Sequence, residues 1–235
     1  MTRTIALTLA LATPALAAAQ TSDELRAHTR RESPEHFAFE LKVGTYRPDA
    51  RAVDGTNAWS TFFGGDRGPL LQLELDVFAW RIPYVGLIGA GVSAGWARYQ
   101  RGLCADPSCA PQSRLDEKGR AKLFPVAGLA VLRVDALARE LGVPLVVTGK
   151  IGLDAVFYRI TGGSLSGSGS SLGMRWAVQL ALELDFINRA RARTLDDEWG
   201  INHTTLFVEL FGSTADSSID LGTGLAWTLG LGLTF

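Results

Sequence analysis

Apolar and polar positions alternate along most of this chain, and a period of two residues is typical of β-strands. The stretch 171–187 shows the pattern most clearly, because bulky apolar side chains occupy one face and Arg175, Gln179 and Glu183 the other. A helix over these residues would scatter the charges around all of its sides. The pattern predicts eight strands, over residues 36–46, 70–81, 84–100, 121–137, 143–160, 171–187, 203–212 and 221–235.

The connections between these strands differ in length in a regular way. The gaps after odd-numbered strands are mostly long and rich in Gly, Ser, Asp and Pro: 47–69, 101–120, 161–170 and 213–220. The gaps after the second and fourth strands are short, whereas the charged connection 188–202 is a long exception. This rhythm, with strands near the 9 to 11 residues that a bilayer requires, is typical of outer-membrane barrels.

The sequence therefore predicts an all-β fold, an eight-stranded antiparallel transmembrane β-barrel in up-and-down order over residues 36–235. Two stretches fit less well. ALARELG, residues 136–142, is compatible with a helix, and Pro125 is awkward inside a strand because proline cannot donate to the ladder.

Residues 1–19 have the features of a secretory signal peptide. Arg3 supplies the positive end, Ile5 to Leu16 the apolar stretch, and Ala17 to Ala19 a small-residue cleavage site before Gln20. Residues 20–35 are polar without an apolar period, which indicates a periplasmic N-terminal tether.

A barrel in hydrocarbon must close, because each unpaired backbone group at an open edge would cost several kcal/mol. Eight strands enclose a lumen that side chains just fill, so the polar faces are expected to point inward and pair with one another. The predicted lumen charge network comprises Glu40, Lys42, Glu74, Asp76, Lys150, Asp154, Arg175, Glu183 and Glu209. Aromatics near the strand ends are compatible with interface girdles or with ordinary core positions: Tyr46, Trp80, Tyr84, Trp96, Tyr99, Tyr158, Phe186 and Phe235.

The final strand has an apolar stripe that ends on Phe235. Alternating apolar residues before a terminal aromatic resemble the C-terminal signature of bacterial outer-membrane barrels, here Trp227, Leu231, Leu233 and Phe235. The resemblance implies recognition by the barrel-assembly machinery, insertion into outer-membrane lipid, and both termini in the periplasm.

The whole chain resembles a family of myxobacterial outer-membrane β-barrel proteins. The resemblance lies in FELKVGTYRPD (39–49), RIPYVGLIGAGVSAGWA (81–97), the pair Cys104 and Cys109, LGVPLVVTGKIGLD (141–154) and LDDEWGINHTTLFVEL (195–210). In size and strand count the chain is also similar to small OmpA- and OmpX-type barrels. The family implies the barrel and its location, and it supplies no catalytic residues.

Candidate chemistry is sparse. Cys104 and Cys109 are the only cysteines of an exported chain, and their spacing favours a disulfide over a metal site, which would need two further ligands. The histidines His36 and His203 are expected at the rim opposite the serine-rich 162–171, too far for a nucleophile and its base. Asp196 to Glu198 could bind a cation, but a helix start capped by Thr194 is the preferred interpretation. A net charge of -1 speaks against nucleic-acid binding.

The expectation is an integral outer-membrane barrel with a filled lumen, no cofactor and no catalysis. Its role would be structural, or binding of an unknown surface ligand through the extracellular loops 47–69 and 101–120. Two alternatives remain open. A soluble exported lipocalin-like barrel would hold an apolar ligand, and a narrow outer-membrane channel would leave a continuous water path through the lumen.

Overall fold

Eight strands close into one antiparallel barrel in this computed structural model, which describes residues 35–49, 59, 67–104, 114–162, 165–214 and 221–235. Each strand pairs with its neighbours in sequence, and the last pairs with the first. The strands are β1 (Phe37–Tyr46), β2 (Gly68–Ile82), β3 (Gly86–Cys104), β4 (Arg114–Val134), β5 (Leu145–Gly162), β6 (Leu165–Glu183), β7 (His203–Ser213) and β8 (Thr223–Thr234). The predicted eight-stranded up-and-down barrel is confirmed. The predicted leader 1–19, and the predicted tether apart from Glu35, lie outside the described residues.

Two helices connect strands at the same end of the barrel. Helix α1 (Ala136–Leu141) follows β4, and helix α2 (Arg189–Trp199) joins β6 to β7. Each is followed by a glycine in the left-handed region, Gly142 at φ 66° and Gly200 at φ 68°, where a side chain would be strained.

The helical alternative for 136–142 is confirmed. The capping role of Thr194 is wrong, because α2 already begins at Arg189. No helix in the described ranges is long and apolar enough to cross a bilayer.

The barrel has two distinct ends. We call the end that carries the start of β1, the close of β8 and the turns after β2, β4 and β6 the terminal end, and the opposite one the loop end. At the loop end the predicted loops 101–120 and 161–170 were too long, since β3 to β6 continue into them. The serine- and glycine-rich start of β6 pairs with β5, as in Tyr158↔Gly169. Pairing there continues through a run of Ser and Gly on β6, which has no apolar period to reveal it.

The seam between β1 and β8 closes the sheet. Its register runs from Ala38↔Thr234 to Thr45↔Trp227. The last residue takes part in this seam, because the backbone N–H of Phe235 donates to the carbonyl of Phe37 (2.8 Å) and that of His36 donates to the carbonyl of Phe235 (2.6 Å). Phe235 is therefore held by backbone hydrogen bonds to β1 and to the residue before it.

Pro125 lies in the middle of β4 with its side chain toward the lumen. On the β5 side it keeps the register, opposite Val156. On the β3 side the pairing is interrupted between Val126 and Leu123, although the register is the same before and after. The sheet thus accommodates the missing N–H by a local gap in one ladder and not by an edge or a bulge.

The distribution of polar and apolar side chains is the reverse of that in a soluble protein. Charged and polar side chains point into the lumen, while large apolar side chains on all eight strands are exposed on the outer surface. The outer apolar residues include Phe39 and Leu41 on β1, Leu73 and Leu75 on β2, Val92 on β3, Val126 on β4, Ile151 and Leu153 on β5, Met174 and Val178 on β6, Leu206 and Val208 on β7, and Leu229 and Leu231 on β8. The polar inner faces that the alternation predicts are therefore present, and an apolar belt surrounds this polar interior.

Glycine makes room for large side chains inside the lumen, and this leads to a prediction. A Cβ at Gly230 would lie 2.3 Å from the Phe207 ring and 2.6 Å from the Leu41 carbonyl oxygen. We expect Gly230→Ala to lower the free energy of unfolding by about 1–3 kcal/mol through overpacking, measured by urea titration in detergent micelles. Gly128→Ala is the matched control, because nothing lies within 4 Å of its added Cβ. Equal stability of the two variants would contradict this packing.

Candidate functional site in the barrel lumen

Five charged residues meet at the middle of the lumen, and we call Glu40, Lys42, Glu74, Lys150 and Glu209 the central charge cluster. Glu40 and Lys42 share the inner face of β1 because two residues separate them, and Glu40 lies opposite Glu74 of β2. Like charges directly opposite one another destabilise a sheet. Cations between them are therefore required, and the sequence supplies two lysines.

Lys42 binds three carboxylates at once. Its Nζ lies 2.8 Å from Glu74 Oε2, 2.6 Å from Glu209 Oε2 and 3.1 Å from Glu40 Oε2. Lys150 reaches the same group from β5, with Nζ 2.7 Å from Glu40 Oε2, 3.3 Å from Glu209 Oε2 and a close ion pair to Glu74. The two lysine side chains are fully buried. A buried charge is tolerated only when it is paired and hydrogen-bonded, and the cluster meets that condition.

Polar groups at the border of the cluster extend it. Arg175 Nη2 lies 3.7 Å from Glu209 Oε1 and donates to Gln72 Oε1 at 3.3 Å, while its guanidinium stacks on the Phe211 ring at 4.2 Å. Asp76 Oδ2 lies 3.9 Å from Lys150 Nζ. The central charge cluster with Asp76 and Arg175 thus forms one mixed-sign network that crosses the barrel.

Two residues of the predicted network lie apart from it. Asp154 accepts a hydrogen bond from Ser213 Oγ at 2.6 Å. Glu183 lies at the terminal end, where its Oε1 is 3.7 Å from Arg133 Nη2. The structure therefore brings seven of the nine predicted residues into one network and gives Asp154 and Glu183 other partners.

A metal ion is the chemical alternative for the central carboxylates. One oxygen each from Glu40, Glu74 and Glu209 lies within 4.8 Å of the others. The ammonium groups of Lys42 and Lys150 already lie between them, so a divalent cation would have to displace both. The donor set therefore favours an internal salt-bridge network over a metal centre.

An apolar cluster fills the lumen at the loop end. The Trp59 ring packs edge-on against Tyr99 with 4.6 Å between ring centroids, the Tyr99 hydroxyl donates to the Tyr46 carbonyl, and the Tyr46 hydroxyl donates to the Leu221 carbonyl at 2.6 Å. Leu70, Leu123, Val156 and Phe211 complete much of it. The girdle interpretation is therefore wrong for Tyr46, Tyr99 and Tyr158, which belong to this internal packing. Trp80, Tyr84, Trp96 and Phe186 are exposed, as girdle residues would be.

Charged side chains also crosslink the terminal end. Arg81 Nη1 lies 2.8 Å from Asp135 Oδ2, and Arg139 Nε lies 3.0 Å from the same oxygen. Glu35 forms a close ion pair with Arg139, and its Oε1 lies 3.6 Å from His203 Nε2. Together these contacts tie Glu35, two residues before β1, to the end of β2, to α1 and to the start of β7.

The carboxyl of Glu35 is buried, and its surroundings alter its acidity. Burial acts to raise the pKa of Glu35, but His203 together with the positive charges of Arg133 and Arg139 outweighs it. The pKa of Glu35 therefore lies well below its usual range, and the group is held as a carboxylate.

The sequence pattern missed this terminal network for a clear reason. Glu35 lies before the first stretch of alternating apolar residues. Asp135 lies at the N-cap position of helix α1 and Arg139 lies within it, so none of these three residues belongs to an observed strand. The charged residues near the predicted turns were the one sign of this network in the sequence. His203 was correctly expected at this end, and its Nδ1 lies 2.6 Å from Asp185 Oδ2.

Cys109 and the side chain of Cys104 lie outside the described residues, so their disulfide stays a prediction.

Comparisons with known proteins identify the fold. No protein-family model and no curated protein matches the chain. The crystal structure of the outer membrane protein OprG from Pseudomonas aeruginosa aligns with a TM-score of 0.56 at 13% identity, over 87% of this chain and 97% of that one. Neisserial surface protein A aligns with a TM-score of 0.50 at 10% identity, over 85% and 97%. The shared feature is the fold. At these identities nothing further transfers, and the myxobacterial resemblance stays a prediction.

The central charge cluster predicts a large effect of removing one lysine. In Lys42→Met three carboxylates lose a buried partner, and we expect the free energy of unfolding to fall by about 3–5 kcal/mol, measured by urea titration in micelles. Lys122→Met, on the exposed outer face of β4, is the control and should change little. The double variant Lys42→Met/Glu209→Gln should recover part of the loss, because it removes one of the unpaired charges. A mild effect of Lys42→Met alone would contradict the cluster.

The lowered pKa of Glu35 predicts a pH-dependent contribution to stability. A carboxyl with a depressed folded pKa stabilises the fold above its unfolded pKa of about 4.3, and the contribution is lost as the pH falls below that value. We expect Glu35→Gln to destabilise the barrel by about 1–3 kcal/mol at pH 7, with a difference from wild type that shrinks below about pH 4. Glu140→Gln, at an exposed position of α1, is the control. A difference independent of pH would contradict this role.

Proposed function

We propose that this chain is an integral outer-membrane β-barrel protein with a filled lumen, and that both of its termini face the periplasm. Its role is structural, or binding at the cell surface through the connections at the loop end, without catalysis. The observation that carries the proposal is the exposed apolar belt on the outer face of all eight strands. Water would make such a belt an aggregation site, whereas hydrocarbon is its matching environment.

The height of the belt fits a bilayer. On β4 the outward positions are free of charge from Leu132 to Phe124, and Lys122 follows. Eight residues at roughly 3.4 Å per residue extend about 27 Å along the strand. A strand tilt of about 40° converts this length to about 20 Å, close to the band of about 25 Å in known outer-membrane barrels.

The soluble alternative requires the opposite distribution. A lipocalin-like barrel holds its ligand in an apolar cavity and exposes charges to water, but here the middle of the lumen holds the central charge cluster. The channel alternative requires a continuous water path. The loop-end cluster around Trp59 and Tyr99 and the buried Phe78, Leu87 and Leu129 fill the lumen above and below the charges, which argues against conduction.

The non-catalytic role rests on the placement of the polar groups. Among the described residues His36 and His203 lie at the terminal end, whereas the hydroxyls of 166–171 lie at the loop end. Nucleophilic catalysis needs such groups within hydrogen-bond reach. The central carboxylates Glu40, Glu74 and Glu209 are buried and paired with lysines, which leaves them poorly placed to act on a substrate.

The location is tested by fractionation and by electrophoresis. We expect the protein in the outer-membrane fraction, with a gel mobility in SDS that changes when the sample is boiled, because a closed barrel resists the detergent until it is heated. The matched control is the Gly230→Ala variant, whose shift should occur at a lower temperature. A protein recovered from the soluble periplasm without a mobility shift would refute the membrane proposal and favour the lipocalin-like binder.

A substitution in the C-terminal signature is expected to impair assembly of the barrel in cells without lowering its stability. Trp227 and Leu231 are exposed on the outer face of β8, and the contacts of Phe235 with the seam are backbone hydrogen bonds, which a substitution of its side chain leaves in place. We expect Phe235→Ser to refold in detergent as wild type does but to accumulate in cells at a level several-fold lower. Phe186→Ser, at another exposed aromatic of the terminal end, is the control. Normal accumulation of Phe235→Ser would contradict recognition of this residue.

A further inference from the structure

A row of cations lies on the outer surface of the barrel, directly beyond the apolar belt at the loop end. Arg98 of β3 pairs in register with Lys122 of β4, which pairs with Arg159 of β5. All three side chains are exposed on the outer face. Neighbouring strands lie about 4.8 Å apart, so the three cations, which we call the cation row, lie within about 10 Å on one face. Arg120 and Lys118 follow on β4, further from the belt.

An aromatic row lies immediately below the cation row. Trp96, Phe124 and Phe157 precede or follow Arg98, Lys122 and Arg159 by two residues on the same three strands, and each ring is exposed on the outer face. Phe124 and Phe157 are direct partners in the ladder. Aromatic side chains mark the boundary between hydrocarbon and headgroups. The cation row therefore lies at the level of the lipid headgroups.

The cation row lacks the internal neutralisation that the lumen charges have. The segments 96–100, 118–124 and 157–161 contain no Asp or Glu. Within the described ranges no carboxylate forms an ion pair with a member of the row, and the one polar contact is from Arg98 Nη2 to Gln100 Oε1 at 3.3 Å. Like charges in facing positions repel one another. The sheet places three there with no carboxylate partner among the described residues, and an anion from outside the chain would neutralise them.

A groove beside the row provides space for a hydrocarbon chain. It has a volume of about 410 Å³, lies between β1, β2 and β3, and is lined by Val43, Leu71 and Trp96. Arg98 and Gln100 line its loop-end side. An apolar groove that ends at an arginine matches an amphiphile with an acyl chain below and an anionic headgroup above.

We propose that the cation row, together with this groove, is a binding site for an anionic lipid, one whose headgroup phosphate carries a net negative charge, in the leaflet at the loop end. Arginine and lysine at the headgroup level attract anionic lipids, and guanidinium groups bind phosphate oxygens through paired hydrogen bonds. The side chains of Arg98 and Arg159 would bind from the flanks and Lys122 from the centre. This inference rests on the membrane location proposed above.

The test compares lipid association in vesicles. The full chain is refolded into phosphatidylcholine vesicles that contain a trace of spin-labelled phosphatidic acid or spin-labelled phosphatidylcholine, and electron paramagnetic resonance measures the lipid immobilised at the protein. We expect phosphatidic acid to associate at least about fivefold more strongly than phosphatidylcholine. This factor is the typical contribution of one Lys or Arg to binding at an anionic membrane surface. The variant R98Q/K122Q/R159Q should reduce the preference to less than about twofold.

A charge-conserving variant separates charge from shape. R98K/K122R/R159K keeps the three charges and should keep the preference for phosphatidic acid. Loss of the preference in both variants, or its retention in both, would overturn the assignment. Excess inorganic phosphate, compared with chloride at equal ionic strength, distinguishes the sources of the anion: specific displacement of the labelled lipid by phosphate would identify a site for a soluble anion and overturn the lipid.

The two proposals fail in different ways in this experiment. A protein that does not incorporate into phosphatidylcholine vesicles at all would refute the membrane location, and the lipid site with it. A protein that incorporates and shows the boiling-dependent mobility shift, but immobilises both lipids equally, would refute the lipid site alone.

Discussion

Closure of the sheet between β1 and β8 is the constraint on which the rest of this structure depends. A strand edge in hydrocarbon leaves its N–H and C=O groups without partners, at a cost of several kcal/mol for each group. The seam from Ala38↔Thr234 to Thr45↔Trp227 removes both edges at once. The carbonyl of Phe235 also accepts from the backbone N–H of His36, so Phe235 is part of this closure.

Closure at eight strands leaves a narrow interior, and the interior then dictates the inner faces. Long side chains such as Phe207 fit only where a facing position is glycine, as at Gly230. The same narrowness brings Lys42 and Lys150 within reach of the carboxylates on β1, β2 and β7, so that each charge finds partners. A buried network of this kind contributes less to stability than apolar packing would, yet removing one member costs more.

The alternation of polarity was enough to predict the strand number, the closed topology and the inward charges, because each follows from a period of two residues and from lengths. The strand extensions beyond the belt were not predictable in this way, since the Ser- and Gly-rich start of β6 pairs through its backbone alone. The faces of Tyr46 and Tyr99 stayed undecided because an aromatic near a strand end suits both faces, and the Trp59 ring packed against Tyr99 inside the lumen decides between them. The terminal network was missed because most of its partners lie outside the strand periods: Glu35 lies two residues before β1, Asp135 lies at the N-cap position of α1 and Arg139 lies within α1.

The two ends of the barrel handle charge in opposite ways, and this difference bears on how the chain enters a membrane. At the terminal end Glu35, Asp135, Arg81 and Arg139 neutralise one another within the fold. At the loop end the cations of β3, β4 and β5 point outward without carboxylate partners among the described residues. If insertion proceeds from the side of the termini, the loop end has to cross the bilayer, at about 2–4 kcal/mol for each outward Arg or Lys at the midplane. That barrier is a physical reason for an assisted entry, and phosphate headgroups on the far side would then hold the cations in place once they have crossed.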